Sequence, residues 1–329
     1  MSSAHPDHSP TFVGDVAVVL GGGGAAGNAW LIGVVAGLAD AGVDLTRIAD
    51  LLVGTSAGAT AAAMIGSTTP IGDLYAAART APPPRTRPTG ARGAGRPPGL
   101  GVDDVFDRLR AIGAAATTLE GLLRASGAFA LECDPVLGSS DPWRAVAASR
   151  LPAPDWPTTR LLVTAVDART GSLVTFDRDS GVALADAVAA STCLPGMLPT
   201  QRIGSGRYVD GGIRSSENAD LAAGYRTVVV LAPLQGRTRE APVRFEGIRR
   251  FPGHDLQGEV AALRAGGSRV EVVAPDAAAR VAMGPDVSDP TGRPASALAG
   301  FEQGRRVAPV LRDAPGVVRQ DAPGAQERA

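Results

Sequence analysis

Ser56 stands at the centre of Gly54-Thr55-Ser56-Ala57-Gly58, directly after the apolar run Leu51-Leu52-Val53. A serine between two glycines, leaving a buried strand and entering a helix, can turn sharply enough to lift its hydroxyl off the sheet edge. The helix N-terminus beneath it favours an alkoxide and the charge of an acyl-transfer intermediate. A second loop, Gly21-Gly22-Gly23-Gly24-Ala25-Ala26-Gly27, follows another apolar run, Val16–Leu20. Its backbone N–H groups, with the helix dipole behind them, suit either a dinucleotide pyrophosphate or an oxyanion. A third motif, Asp210-Gly211-Gly212, ends a short predicted strand and sets a carboxylate on a turn that can approach another loop closely. Taken singly, each has a plainer use: a Ser helix cap, an Asp-Gly turn.

A nucleophilic serine needs a general base. The chain has three His: His5 and His8 in a polar, Pro-containing N-terminal stretch, and His254 in the loop Phe251-Pro252-Gly253-His254-Asp255. A Ser-His esterase or acyltransferase would therefore have to use His254. The other economical base is a carboxylate acting directly on the serine, with Asp210 the strongest candidate. All 32 basic residues are Arg, so Schiff-base and P-loop lysine chemistry are excluded. The two cysteines, Cys133 and Cys193, cannot build a disulfide framework or a multi-Cys zinc site, and no metal or cofactor is expected. Basic and acidic residues balance at 32 against 33, which argues against a nucleic-acid partner. Residues 22–27 satisfy Gly-x-Gly-x-x-Gly and Asp44 lies 20 residues after Gly24, so a nucleotide-binding protein is a competing reading. Asp44 nevertheless precedes the second strand, whereas a ribose-binding acid belongs at that strand's end.

The elements that must position these residues read as alternating apolar strands and helices, an α/β fold with a mainly parallel sheet. Strands are expected at 16–20, 51–53, 161–166, 173–176, 208–210, 227–231 and 270–273. The pair 161–166 and 173–176 would join around a Gly171 turn. Helices are expected at about 28–41, with Trp30, Leu31, Val34, Val35 and Leu38 on one face, and at 57–65 and 182–190, with helical segments over about 102–124. The uncharged stretch Val16–Ala39 has 24 residues, nominally enough for a bilayer. Four consecutive glycines within it cost a helix about 0.8–1 kcal/mol each, so strand, loop and core helix is the better reading. No signal peptide precedes it, and a cytoplasmic location is expected. One domain is expected over 12–312, between a disordered tail at 1–11 and a flexible one at 313–329. A Pro/Arg/Gly-rich surface insertion is expected at 81–99.

Three motifs in this order resemble the patatin-like phospholipases, over roughly residues 14–275: Gly22-Gly23-Gly24-Ala25-Ala26-Gly27, then Gly54-Thr55-Ser56-Ala57-Gly58, then Asp210-Gly211-Gly212. The 154-residue separation of Ser56 and Asp210 suits that family, and Ala189-Ala190-Ser191 to Pro199 resembles its Ala-Ser…Pro-Gly segment. The resemblance implies a three-layer α/β/α sandwich and a lipid acyl hydrolase with a Ser–Asp dyad. It assigns Ser56 as nucleophile, Asp210 as base and the N–H groups of Gly22, Gly23 and Gly24 as oxyanion hole, with Gly27, Gly54, Gly58, Gly211 and Gly212 as motif glycines. It implies a lipid ester substrate, transient contact with a membrane surface, and no metal. Ala26 departs from the pattern, since the family's glycine loop commonly carries Arg or Lys there.

Overall fold

The computed structural model describes residues 11–80, 101–236, 251 and 253–317; the insertion expected at 81–99, and most of both tails, lie outside these. The strands are β1 (Gly14–Leu20), β2 (Leu51–Gly54), β3 (Arg160–Asp167), β4 (Leu173–Phe176), β5 (Gln201–Ile203), β6 (Gly206–Asp210), β7 (Tyr225–Leu231) and β8 (Arg269–Val273). The helices are α1 (Gly24–Asp40), α2 (Leu45–Ile48), α3 (Ala57–Ile65), α4 (Ile71–Arg79), α5 (Val102–Ala115), α6 (Leu119–Leu137), α7 (Asp141–Ser149), α8 (Leu184–Ser191), α9 (Leu256–Ala265), α10 (Ala277–Met283) and α11 (Arg293–Arg312). Among the described residues no helix is long and apolar enough to cross a membrane.

All strands join one sheet. Strand β1 pairs in parallel with β2 and β7, β2 with β3, and β7 with β8, while β4, β5 and β6 add antiparallel pairs. Alternate residues enter opposite cores, as the two-residue period of a strand requires. Val16, Val18 and Leu20 face a core shared with α1, α3, α8 and α11. Ala17 and Val19 face one shared with α9 and the segment 219–222. Helices thus cover both faces of a mainly parallel sheet, as the near-continuous apolar runs of β1, β2 and β7 demand.

Two expectations about helices change. The helical segments expected over 102–124 are α5 and α6, and the second runs on to Leu137. Helix α1 is buried on every side from Ala26 to Leu38, not on one face. The cause is α11, a helix rich in Arg and Gly that the sequence reading did not single out. A Cβ at Gly33 or Gly37 would stand 2.1 Å from Ala297 O or 2.0 Å from Phe301 O, and one at Gly300 or Gly304 2.4 Å from Trp30 O or 2.3 Å from Val34 O. Four glycines thus let the two backbones touch.

Candidate active site

The pairings of β3 bring the second and third motifs together. Val163 pairs with both Gly54 of β2 and Phe176 of β4, and Ala165 with both Asp210 of β6 and Val174 of β4. Since β4 fills one edge of β3, β2 and β6 must share the other. They run in opposite directions and meet end to end, with Gly54 and Asp210 two β3 residues apart, roughly 7 Å along the strand. Chain positions 56 and 210 therefore converge.

Ser56 adopts φ 55 and ψ −123, a left-handed conformation rare for a residue with a side chain. Such backbone costs on the order of 1–3 kcal/mol and persists only when its surroundings over-determine it. Here Thr55 N donates to Leu20 O at 3.1 Å, and Ser56 N to the buried Ser191 Oγ at 2.9 Å. The turn brings α3 so close to β1 that a Cβ on Gly58 would lie 1.9 Å from Leu20 O. The Ser56 side chain is half-buried, and it interacts with the Asp210 carboxylate.

Asp210 is 5% exposed. Its N–H donates to Cys193 O at 2.9 Å, and its Oδ1 accepts from Gly212 N at 2.7 Å. Burial lifts its pKa to about 6, against the opposing pull of hydrogen bonds from the Ser56 side chain and Gly212 N–H. A carboxylate of that basicity is ionised at neutral pH and can still accept a proton usefully. Gly211 is glycine because a Cβ there would stand 2.4 Å from Thr164 Oγ1.

The glycine loop carries one correction. The Gly22 N–H donates to Ser216 O at 2.8 Å, which removes it from the set of free donors. The loop's unspent N–H groups among the described residues include those of Gly23 and Gly24, and Ala57 at the start of α3 adds another. A Cβ on Gly22 would still meet Ser56 Cβ at 3.5 Å, so the loop lies against the turn that carries Ser56.

Sequence reasoning passed over the residue that joins the two loops. Asn218 is fully buried in a left-handed turn, φ 52 and ψ 44. Its Nδ2 donates to Thr55 Oγ1 at 3.1 Å, Gly211 O at 3.3 Å and Ser215 O at 2.7 Å, while its Oδ1 accepts from Arg214 Nη1 at 2.7 Å. Thr55 Oγ1 also lies 2.9 Å from Thr164 Oγ1. Arg214 is fixed by Asp220 at 2.6 Å, and Ala219 N donates to Glu259 at 2.8 Å. Asn28 of α1 adds a bond from Nδ2 to Ala57 O at 3.2 Å.

The competing candidates lie elsewhere. His254 is exposed in the loop before α9, and no hydrogen bond joins it to Ser56 or Asp210 among the described residues. Asp44 caps α2, accepting from Thr46 N at 3.0 Å and Thr46 Oγ1 at 2.6 Å, so it stands before β2 and not at its end. Cys193 is buried, which pushes its thiol pKa up and makes it a poor nucleophile. A cavity of about 770 Å3 at the β5–β6 edge, lined by Arg144, Asp186, Gln201 and Arg207 among others, includes neither Ser56 nor Asp210.

No curated protein matches the chain. The crystal structure of VipD from Legionella pneumophila is similar at a TM-score of 0.42 and 14% identity, over 92% of this chain and 67% of that one. The model of the Patatin family, described as patatin-like phospholipase, matches residues 18–223. That span is more than half of the 329 residues and runs from β1 past Asp210. By that match the chain belongs to the patatin-like phospholipase family, a family of lipid acyl hydrolases.

Proposed function

We propose that the chain hydrolyses lipid esters through a Ser56–Asp210 dyad. The observation that carries this reading is the end-to-end meeting of β2 and β6, with a strained serine on one and a buried carboxylate of raised pKa on the other. Asp210 takes the Ser56 proton as Oγ attacks the ester carbonyl. The oxyanion that forms is held by the N–H groups of Gly23 and Gly24, with Ala57 N–H a third donor within reach of the elbow. Collapse returns the proton from Asp210 to the leaving alcohol and leaves an acyl-Ser56. Water then attacks the acyl-enzyme, Asp210 takes its proton, and collapse of the second oxyanion passes it back to Ser56 and frees the fatty acid. The same reading takes residues 12–312 as one unit, supported by the packing of α11 on α1, and has the protein meet its substrate at a lipid surface.

The test pairs Ser56→Ala with Asp210→Asn on short- and long-chain acyl esters. A fluorophosphonate ester should label Ser56 and leave Ser56→Ala unlabelled. Asp210→Asn should lower turnover by roughly 10²–10⁴-fold. Wild-type turnover in either variant would refute the dyad.

A further inference from the structure

The cavity of about 770 Å3 lies at the edge strand β5, among the C-terminal end of α6, the start of α7 and the first turn of α8. Its walls hold more charge than they pair. Arg144 Nε and Nη2 donate to the Asp186 carboxylate at 2.6 and 3.1 Å, a two-point ion pair that cancels both charges. The other charged groups of the lining have no such partner.

Arg202 and Arg207 are the unpaired cations. They stand directly opposite each other across β5 and β6, an arrangement in which like charges repel. Among the described residues neither lies within ion-pair distance of a carboxylate. A carboxylate between them would remove the repulsion, and a guanidinium fork takes one at two points.

Asp134 and Asp141 are the unpaired anions. Asp134 sits in the last turn of α6, where the helix dipole disfavours an acid. Its two oxygens accept from Thr200 N at 2.7 Å and Thr200 Oγ1 at 2.6 Å, both neutral donors that leave its charge uncancelled. Asp141 opens α7 with an exposed side chain. No described arginine lies within ion-pair distance of either. Gln201 adds an orphaned acceptor to the same lining. It is 2% exposed, and its Nε2 donates to Asp186 Oδ1 at 3.3 Å and Arg202 O at 3.4 Å. Its Oε1 meets no donor among the described residues, a costly state for a buried amide.

One cavity therefore presents two cations and two anions that do not meet each other. A ligand of a single sign would satisfy half of them, and a ligand carrying both signs satisfies all. We propose that this cavity binds a peptidic zwitterion, a free amino acid or short peptide. Its carboxylate would sit on Arg202 and Arg207 and its ammonium on Asp134 and Asp141. The volume falls within the roughly 300–1,000 Å3 usual for small-molecule sites. Arg207 stands three residues before Asp210 on β6, and Asp186 five before Ser191, whose Oγ accepts the Ser56 N–H. The cavity thus adjoins the elements that place the proposed dyad, while its lining includes neither Ser56 nor Asp210. It is a second site, and the proposal stands without the dyad reading.

The experiment is calorimetric titration of the full chain with glycine, glycylglycine and triglycine, which share both charges and differ in their separation. At least one should saturate a single site. The N-acetylated form of the tightest probe keeps only the carboxylate, and its C-terminal amide keeps only the ammonium. Each should bind at least about tenfold more weakly than the parent. Arg202→Met and Asp141→Asn change exposed side chains and should each weaken binding about tenfold, with Arg202→Lys restoring most of the loss. Ser56→Ala should bind as wild type does. Failure of all three probes to saturate would overturn the proposal. Equal binding of the acetylated form, or displacement of the probe by an equal concentration of inorganic phosphate, would mark a plain anion site and overturn it too. Equal binding of the amide would mark a cation site with the same consequence. Loss of binding in Ser56→Ala would place the ligand at the proposed dyad and refute a second site.

Discussion

Ser56 and Asp210 reach one point by opposite means. Ser56 is held by its backbone, with φ 55 and close-packed neighbours, while its side chain stays half-buried. Asp210 has an ordinary φ of −51, and its placement comes from hydrogen bonds and burial. The proposed nucleophile therefore depends on space that no side chain may enter, and the proposed base on a graded network of polar partners. Damage should be abrupt on the first side and graded on the second.

The largest effect is expected at Gly58. An alanine Cβ would stand 1.9 Å from Leu20 O and 2.6 Å from Gly21 O, backbone that β1 cannot move. Gly58→Ala should give either no soluble protein or a fold whose Ser56 no longer reacts with a fluorophosphonate. Gly22→Ala is its control on the facing loop, where the new Cβ makes ordinary contacts of 3.5 Å and more. It should melt close to wild type. Equal behaviour of the two variants would show that close packing does not hold the elbow.

Asn218 tests the other side. Removing its amide strips a donor from Thr55, Gly211 and Ser215 at once, and a buried polar group left unpaired costs about 1–3 kcal/mol. Asn218→Gly keeps the left-handed backbone and loses only the amide, while Asn218→Ala loses both. Each should lower kcat by roughly 10–100-fold with KM little changed. The alanine variant should also melt lower by the cost of its strained φ. Retention of kcat in Asn218→Gly would mean that the two loops hold their registry without it.

A smaller effect follows from the basicity of Asp210. As the proposed base it must be ionised, so kcat/KM should be flat above pH 7 and fall tenfold per unit below about 6. The raised pKa also means that the native state binds this proton more tightly than the unfolded chain. Ionised Asp210 thus destabilises the fold once the pH exceeds its native value. Asp210→Asn should therefore raise Tm at pH 8, with the gain gone below pH 4. An acid limb near pH 4 would show that Asp210 is more solvated than its burial implies.

The same division explains what was legible in the sequence. Ser56, Gly54, Gly58 and Asp210 could be read because strained turns and close approaches select particular residue types at fixed spacing. The strands could be read because buried parallel strands are continuous apolar runs. Asn218 had no such signature: a single Asn eight residues after the acid acts through partners scattered along the chain. Nor could sequence tell that the Gly22 N–H is spent on Ser216, since that bond depends on tertiary pairing. Helix α11 escaped because it buries glycine and alanine against another backbone, which leaves no stripe of large apolar residues. Its partner α1 was misjudged as one-sided for the same reason.

The outermost member of the Asp210 network should show the smallest effect, on stability more than on rate. Glu259 is 1% exposed, and among the described residues its only charged partner of opposite sign is Arg214, 3.9 Å away. Burial first, with Asp220 and Glu217 adding repulsion, raises its pKa to about 7, against the pull of Ser215 and Ala219. A carboxylic acid whose native pKa exceeds its unfolded value favours the fold most at low pH. That contribution is lost as the pH rises through the native value. Wild-type Tm should therefore fall between pH 5 and pH 8, and Glu259→Gln should flatten the slope, melting roughly 2–4 °C above wild type at pH 8. Glu259 reaches Asp210 through several intervening residues, among them Ala219, Asn218 and Gly211, so the same variant should change kcat by less than about threefold. A rate loss as large as that of Asn218→Gly would show that the network acts as one rigid body, and that the base side is as abrupt as the nucleophile side.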